Sequence, residues 1–420
     1  MAGIMARRWG QRLGGLRGLL TGSTGSTIRA HNLRAVLFAF LRQESVSRAQ
    51  LAQITGLSST SITNLVRGLI RQGVLAEVKP QRRRAGQPPV PRGVGRPQRA
   101  LRLVPDARFA LGVHIDVDRV YLALTDLYGR PRLTDTLTLT EGISAADALQ
   151  QISERAAQVI AASAVPPGLI LGVGLGASGL VEPETGINRI APGLGWQDVP
   201  VVDTLSARLR LPVAVENNVR AMALAETFWG AGQNASSLAF IYGRVGVGAG
   251  LALDGKLYRG ANGGAGEIGH ITLIPTAGER CRCGNTGCLE TLVSEAAIGR
   301  AAAHLDLPAG EGSVLERLLQ ASRAGHADSV KLLDERARYL GIGLATVVTV
   351  FNPEVIVLGG FFARAWDLLG PAASATLRER TFAGMGERTR IEVTRFQEQA
   401  GVIGAAALAL QAFFFEPSET

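Results

Sequence analysis

The sequence is poor in cysteine, lacks long apolar runs and has almost no acidic residues near its N-terminal end. Its 420 residues include three cysteines, and this small, odd number excludes a disulfide-stapled extracellular scaffold. No uninterrupted apolar run has the length of about 20 residues that a membrane-spanning helix needs. The basic, Gly-rich residues 1–25 lack the apolar core of a signal peptide. We therefore expect a cytoplasmic protein without a membrane partner, with a disordered tail over residues 1–25.

The scarcity of acidic residues is confined to one part of the chain. Residues 1–104 contain 18 Lys and Arg but only two acids, Glu44 and Glu77, for a net charge of +16, whereas the remainder carries −7. A strongly basic module is thus joined to a mildly acidic body. Such a module favours a polyanionic partner, and nucleic acid is the usual one.

Residues 26–80 have the pattern of a winged helix-turn-helix domain. Ser47 and Gln50 have the spacing of a capping box at the start of a second helix, and Gly56 stands where a left-handed turn residue is needed. Apolar residues at helical spacing then define a third helix, and residues 74–78 indicate a short strand. Residues 81–104 follow as a basic wing and linker, rich in Pro and Gly.

The third helix carries short hydrogen-bonding side chains near its N-terminus, which suit the reading of a DNA groove. Arginines of the basic linker can reach phosphates or a narrow minor groove. The predicted DNA contacts are Ser59, Thr60, Thr63, Asn64, Arg67 and Arg96. A solvated helix face and a flexible linker are the alternative interpretations, and the basic charge of the module favours DNA over both.

The three cysteines are clustered and have a histidine nearby. Cys281, Cys283 and Cys288 lie within eight positions, and His270 stands eleven residues before the first of them. Three thiolates and one imidazole complete a tetrahedral zinc set with no position left for water. We therefore predict one structural Zn²⁺ per chain rather than a catalytic one. A disulfide is disfavoured because Cys281 and Cys283 are too close to pair comfortably.

After residue 104 the pattern changes to short apolar strands that alternate with helical stretches, which predicts an α/β body. Two Gly-rich segments, residues 243–250 and 359–360, follow predicted strands. Backbone amides in such turns suit the binding of phosphate or another ligand. Gly-rich turns are a weak signal on their own, so the interpretation depends on further motifs.

Several motifs of the body together resemble the ROK family, which groups sugar-responsive transcriptional repressors with sugar kinases. They are Gly264-Ala265-Gly266-Glu267-Ile268-Gly269-His270, the segment from Cys281 to Glu290, Glu216-Asn217-Asn218, residues 191–196 and residues 352–360. The resemblance covers residues 30–415, and the winged helix-turn-helix resembles the repressor branch. It implies an actin-like ATPase (ribonuclease H-like) body over residues 105–420. Lobe one would comprise residues 105–225 with the C-terminal helix at 397–415, and lobe two residues 226–396.

The resemblance also implies a sugar pocket between the two lobes. The residues that match the family motifs and would hydrogen-bond sugar hydroxyls are Asn217, Asn218, Glu267, His270 and Glu290. Carboxylates accept hydrogen bonds and amides both donate and accept, which fits vicinal hydroxyls. His270 would bind the metal through one ring nitrogen and the sugar through the other, and the metal loop would orient Glu290. Loop capping or surface charge is the alternative role of the two glutamates.

The chain departs from the kinases of the family at three places. Their phosphate loop Asp-x-Gly-Gly-Thr is replaced by a string that contains Asp116 and Asp118, whose negative charge opposes phosphate. Asn218 stands where the kinases have their general base Asp, and an amide cannot accept the hydroxyl proton. Arg244 begins the string that replaces the second phosphate loop, Gly-Thr-Gly. Together these departures indicate a domain that has lost kinase activity and has no catalytic residue.

We therefore expect a DNA-binding transcriptional regulator, a repressor of carbohydrate genes whose operator binding is modulated by a sugar. A homodimer, or a dimer of dimers, would bind a palindromic operator on the nucleoid, because protein and site share two-fold symmetry. An ATP-dependent sugar kinase of the same family is the alternative. A third class, a constitutive DNA-binding protein, is disfavoured because the residues that match the sugar-contact set are all present.

Overall fold

The computed structural model describes residues 25–78 and 99–415. The chain divides into two compact units: Met1–Arg102 with Phe415–Thr420, and Leu103–Phe414. The tail expected at the N-terminus, up to residue 24, and the predicted DNA contact Arg96 lie outside the described residues.

The N-terminal unit consists of three helices and a small three-stranded sheet. Its elements are α1 (Gly25–Arg42), β1 (Val46–Ser47), α2 (Arg48–Thr55), α3 (Ser59–Arg71), β2 (Leu75–Val78) and β3 (Ala100–Leu103). The sheet order is β1-β3-β2. Helix α1 begins at Gly25, and its N-terminal part has no apolar periodicity that would mark it in the sequence.

Local sequence signals account for the helix-turn-helix. The predicted capping box is confirmed: the Ser47 hydroxyl accepts from the Gln50 N–H at 3.2 Å, and the Gln50 side chain accepts from the Ser47 N–H at 2.9 Å. Gly56 ends α2 with a φ of +69°, a conformation that favours glycine. Ser58 caps α3 by accepting from the Ser61 N–H at 3.2 Å.

The C-terminal unit contains two five-stranded sheets, which confirms the predicted α/β body. The first has the order β11-β7-β4-β5-β6 and the second β14-β13-β12-β15-β16, and each combines parallel and antiparallel neighbours. The elements around the first sheet are β4 (Phe109–Ile115), β5 (Arg119–Thr125), β6 (Pro131–Thr138), α4 (Ala145–Ala162), β7 (Ile170–Ala177), β8 (Leu180–Glu182), β9 (Ile187–Ala191), β10 (Trp196–Val199), α5 (Val201–Leu209), β11 (Val213–Asn217) and α6 (Asn218–Trp229).

The second sheet and its helices form the rest of this unit. Their elements are β12 (Ser237–Gly243), β13 (Val247–Leu253), β14 (Lys256–Tyr258), α7 (Glu290–Val293), α8 (Glu295–Ala302), α9 (Val314–Arg323), α10 (Ala327–Phe351), β15 (Val355–Gly360), α11 (Phe361–Arg364), α12 (Trp366–Arg380), α13 (Met385–Arg388), β16 (Arg390–Val393) and α14 (Ala400–Leu410). Each sheet buries its own hydrophobic cluster against its helices.

Helix α14 is the most apolar helix of the body, and all its residues are buried. It returns from the second sheet to pack on β4, β7 and α6. Gly174 permits this close approach, because a Cβ at that position would lie 2.9 Å from the Ala409 nitrogen. The helical stretch Gln397–Phe415 has the length and composition of a membrane span, but 72% of its apolar window is buried inside the protein. Burial in the core explains its hydropathy.

Candidate functional site

A cleft of 410 Å³ receives residues from loops of both large sheets. The turn after β4, the segment between β7 and β9, and the start of α6 come from the first-sheet side. The β12–β13 turn and the loops that follow β14 come from the other. All five predicted sugar-contact residues line it: Asn217, Asn218, Glu267, His270 and Glu290. The structure thus brings together residues that lie far apart in the sequence.

The four predicted metal ligands converge at one edge of this cleft. Their ligand atoms all lie within 4.8 Å of one another. The Cys281 sulfur is 3.6 Å from His270 Nδ1, and the Cys283 and Cys288 sulfurs are 3.7 Å apart. A tetrahedral ion with bonds of about 2.3 Å to sulfur places its ligand atoms roughly 3.8 Å apart. The donor set therefore fits one tetrahedral metal ion, and the sulfur separation excludes a disulfide.

Burial opposes the ionisation of two of the three thiols. Burial raises the pKa of the Cys281 thiol and raises that of Cys288 to about 12, whereas the backbone N–H of Asn285 lowers the pKa of the exposed Cys283. Metal binding requires thiolates. The two buried sulfurs thus need the charge of a metal ion to ionise near neutral pH.

Glu290 connects the metal loop to the floor of the cleft. Its side chain is 8% exposed and accepts from the Val247 N–H at 3.0 Å. Arg282, which stands between two cysteine ligands, donates Nε to Glu290 Oε1 at 2.9 Å and Nη2 to Oε2 at 3.1 Å. This two-point ion pair holds the carboxylate in one orientation. The Glu290 carboxylate also lines the cleft.

Glu267 and His270 lie at the two ends of a short turn that contains the 3₁₀ helix Ile268–His270, and both line the cleft. His270 directs Nδ1 towards the cysteine sulfur and Nε2 towards Glu267, whose Oε2 is 3.9 Å away. Nδ1 therefore faces a cysteine of the metal-ligand cluster, and Nε2 faces a carboxylate that lines the cleft. The Glu267 side chain is half exposed and lines the cleft, so its oxygens are accessible to a ligand.

The two asparagines have different surroundings. The Asn217 side chain caps α6, with Oδ1 accepting from the N–H groups of Val219 at 3.0 Å and Arg220 at 3.3 Å. Its Nδ2 donates to the Gly179 carbonyl at 3.0 Å. One Nδ2 hydrogen remains for a ligand. Asn218 lines the cleft beside it, and its Oδ1 accepts from the adjacent Val219 N–H at 2.9 Å.

A buried ion network supports these residues from behind. Glu216 is fully buried, and it pairs with Arg220 at 2.7 Å and with Arg259 at 2.6 Å. Arg220 also donates to the Gly263 carbonyl at 2.7 Å. The network ties the start of α6 to the loop that presents Glu267. It rigidifies the site because each charge has charged hydrogen-bond partners.

An ion pair joins two turns at one end of the cleft. Arg244, in the β12–β13 turn, forms an ion pair with Asp116 of the β4–β5 turn and lies 3.7 Å from Asp118. Asp116 also accepts from the Val117 N–H at 2.8 Å. The guanidinium therefore bridges the two sides of the cleft at this end.

The Gly-rich segment at 359–360 has a packing role. A Cβ on Gly359 would lie 2.5 Å from the Phe240 ring, and one on Gly360 would lie 2.9 Å from the Tyr242 ring. Gly360 also has a φ of +61°. The glycines thus allow β15 to pack against aromatic side chains of β12, and burial raises the pKa of Tyr242 to about 12.

The predicted DNA-contacting residues of α3 lie on its open side. Ile62, Val66 and Leu69 are buried and define the inner face. The exposed residues of the predicted set are Ser59, Thr60, Asn64 and Arg67. Thr63 is half-buried, and its hydroxyl donates to the Ser59 carbonyl of the same helix at 2.8 Å. Its side chain therefore has a smaller capacity for a further partner than the other four.

Sequence reasoning missed four arginines of the body that shape the cleft. They are Arg220, Arg244, Arg259 and Arg282. Arg220 leaves a sequence signal, since it directly precedes the apolar residues 221–225 of α6. Arg282 stands between two cysteines, but its carboxylate partner is set by the fold of the loop. Arg244 appeared only as a departure from the kinase motif.

Comparison with known proteins identifies the family. The model of the ROK family matches residues 110–412. The chain belongs to the ROK family. It is 28% identical over 389 residues to the xylose repressor of Caldicellulosiruptor bescii, covering 90% of this chain and 95% of that protein. The predicted family is thereby confirmed.

The chain is similar to solved structures of a ROK regulator and of ROK kinases, but the regulator covers more of it. One of these structures is a ROK family transcriptional regulator, a homolog of the E. coli MLC protein, with a TM-score of 0.78 and 28% sequence identity. The match covers 93% of this chain and 97% of the regulator chain. Another is a ROK glucokinase from Streptomyces griseus in complex with glucose and AMPPNP, with a TM-score of 0.62 and 29% sequence identity. That match covers 72% of this chain and 100% of the glucokinase chain. The predicted actin-like ATPase fold with an additional N-terminal domain is confirmed.

Proposed function

We propose that this ROK protein is a DNA-binding transcriptional regulator, a repressor of carbohydrate genes, and that a sugar bound in the 410 Å³ cleft modulates its operator binding. The observation that carries the proposal is the extent of the similarity. The regulator structure covers 93% of the chain, including the helix-turn-helix, whereas the glucokinase covers 72%. The exposed polar face of α3 supports DNA as the partner.

The loss of kinase activity is part of the same proposal. Phosphoryl transfer needs a base for the sugar hydroxyl and room for charged phosphates. Asn218 supplies an amide where the family's kinases have a carboxylate, and it cannot accept a proton at neutral pH. The Arg244–Asp116 ion pair lies among the residues that replace both phosphate loops. A nucleotide would have to break that pair and place its phosphates beside two aspartates.

Zinc is the metal that this site suits best. Three thiolates and one imidazole form a closed tetrahedral set, which is typical of structural Zn²⁺. His270, Cys281, Cys283 and Cys288 would hold the ion, and its binding would fix the loop that carries Arg282 and Glu290. The role of the ion is to order the sugar site rather than to activate water, because no coordination position is open.

The regulator acts as a homodimer, or as a dimer of dimers, on a palindromic operator in the cytoplasm. A sugar changes operator affinity only to the degree that it binds the DNA-free and DNA-bound forms differently. Asn218, Glu267, His270 and Glu290 provide the donors and acceptors for its hydroxyls, with Asn217 adding one amide hydrogen. Glu216, Arg220 and Arg259 hold these groups in place.

DNA selection from a random library, followed by fluorescence anisotropy with and without sugars, tests the regulatory function. We expect sequence-selective binding that at least one sugar weakens. Arg67→Ala should weaken binding by about tenfold, the value of one good base or phosphate contact. Arg378→Ala removes an equal charge from the surface of α12 and should leave binding unchanged. Selection that yields no preferred sequence, or binding that no sugar alters, would contradict the proposal.

Sugar-dependent release of ADP tests the kinase alternative. We expect no turnover by the wild-type protein, and none by Asn218→Asp, because the ion pair of Arg244 with Asp116 remains at the other end of the cleft. Turnover by the wild type would establish the kinase. Turnover by the variant alone would show that Asn218 is the sole barrier and that phosphates can displace the ion pair.

A further inference from the structure

Within the part of the lining that the structure describes, each arginine of the cleft is paired with a carboxylate. Among the described residues that line it, the cations are Arg244 and Arg282, and the anions are Asp116, Glu267 and Glu290. No lysine is part of the described lining. The carboxylates therefore outnumber the guanidinium groups in the cleft.

Each guanidinium forms an ion pair with a carboxylate that has little access to solvent. Arg282 makes its two-point contact with Glu290, whose side chain is 8% exposed, and Arg244 pairs with Asp116, whose side chain is 11% exposed. Asp118 stands 3.7 Å from the Arg244 guanidinium as a further anion. An anionic ligand that took either arginine would leave a largely buried carboxylate without its cation, which is costly.

The mouth of the cleft has an apolar rim. Val117, Leu180, Ile190 and Val245 all line the cleft, and they are 36%, 39%, 49% and 45% exposed. Such side chains offer no hydrogen bond to a phosphate or carboxylate group that reaches outward. A charged group would lose water at this rim without a compensating partner.

We propose that the effector is an uncharged sugar and that the cleft discriminates against the phosphate ester of the same sugar. The inference rests on the proposed sugar-sensing function and specifies its ligand class. The hydroxyl groups of a sugar can donate hydrogen bonds to Glu267 and Glu290 and accept one from Asn218. These hydrogen bonds leave both arginine ion pairs intact. A phosphate ester meets an excess of carboxylates and an apolar rim, and we expect it to bind at least about tenfold more weakly.

Titration calorimetry of the full-length, metal-loaded protein tests the inference. Each free sugar is compared with its own phosphate ester. The pairs are glucose and glucose 6-phosphate, N-acetylglucosamine and its 6-phosphate, mannose and its 6-phosphate, and xylose and its 5-phosphate. We expect the free sugar of at least one pair to bind, and its phosphate to bind at least about tenfold more weakly or not at all. Inorganic phosphate serves as the control for binding by the anion alone.

Two results would overturn the inference, and they differ in their consequences. A phosphate ester that binds as tightly as its free sugar, or more tightly, overturns the ligand class but leaves the sugar sensor intact. Binding of no member of any pair overturns the sugar-sensing function, and the inference with it.

A charge variant provides a second readout. Asp116→Asn removes the carboxylate that occupies Arg244, so the affinities of the two members of a pair should become more similar, by a factor of about three or more. Asp334→Asn removes an equal charge from the pair with Arg338 on α10, outside the cleft lining, and should leave the ratio unchanged. An unchanged ratio in folded Asp116→Asn would contradict the role assigned to the ion pair.

Discussion

Arg244 and Asp116 form an ion pair that joins the β12–β13 turn of one sheet to the β4–β5 turn of the other. Asp116 is nearly buried, with 11% of its side chain exposed, whereas Arg244 is 33% exposed. The pair thus connects the two halves of the body across one end of the cleft. In this position it can influence both the stability of the body and the closure of the cleft.

Replacing either partner of this ion pair should destabilise the body, and the two replacements should do so by different amounts. Arg244→Gln leaves the Asp116 carboxylate without its cation, and we expect a loss of about 1–3 kcal/mol in the free energy of unfolding. Asp116→Asn should cost less, because the partly exposed Arg244 can turn to solvent. Denaturant unfolding of both single variants and the double variant gives the coupling energy. Additive effects of the two changes would show that the pair contributes nothing.

Removal of the metal should impair the sugar site as well as the fold. Cys281→Ser, or treatment with a strong chelator, frees the loop that carries Arg282 and Glu290. We expect the melting temperature of the body to fall by at least about 5 °C, and sugar affinity to fall with it. Metal analysis and calorimetry provide the measurements, and re-addition of Zn²⁺ to the chelated wild type is the control. Full sugar affinity in the metal-free protein would refute the proposed role of the ion.

His114 should make the fold sensitive to mild acid. It is 4% exposed on β4, and within the described residues neither ring nitrogen has a hydrogen-bond partner. Burial, with a smaller effect of Arg244, lowers its pKa to about 4 from an ordinary value of 6.5. Between these two values the unfolded chain binds a proton at this histidine and the folded protein does not. The free energy of unfolding therefore falls as pH drops from about 6.5 towards about 4. The loss approaches roughly 3 kcal/mol.

The free energy of unfolding, measured from about pH 7 to about pH 4.5 for the wild type and His114→Leu, tests this origin of the acid sensitivity. The variant should lose stability less steeply. Glu226 has the opposite effect, since burial raises its pKa and its protonation favours the folded state as pH falls. Both proteins share that contribution, so it cancels in the comparison. Equal slopes would exclude His114 as the cause.

Two helical glycines should respond to alanine in opposite directions. A Cβ on Gly404, in the core helix α14, would lie 2.5 Å from the Ala221 carbonyl carbon and 2.7 Å from the Met222 nitrogen. We expect Gly404→Ala to destabilise the protein by about 1–3 kcal/mol. A Cβ on Gly299, inside α8, would meet nothing within 4 Å. Gly299→Ala should therefore stabilise by roughly 0.5–1 kcal/mol, and thermal unfolding of both variants checks the contrast.

Local patterns in the sequence predicted much of this protein. The Ser47 capping box, the Gly56 turn and the buried face of α3 depend on neighbours within one helical turn, so spacing alone reveals them. The Cys281-to-Cys288 cluster predicts its metal site for the same reason, since the ligands and their chemistry stand close together. The start of α1 at Gly25 escaped prediction because nothing in its composition marks it.

The sequence by itself therefore determined the metal-ligand set, the helix-turn-helix and the alternation of strands and helices, because each is a short-range property. Only the tertiary structure decided which charges meet. Glu216 pairs with Arg259, 43 residues away, and Arg244 meets Asp116 across two sheets. A sequence shows that a side chain is charged, but the partner depends on how the β-turns are packed against each other. That packing decides whether an arginine in the cleft is free to bind a ligand or is neutralised by a carboxylate.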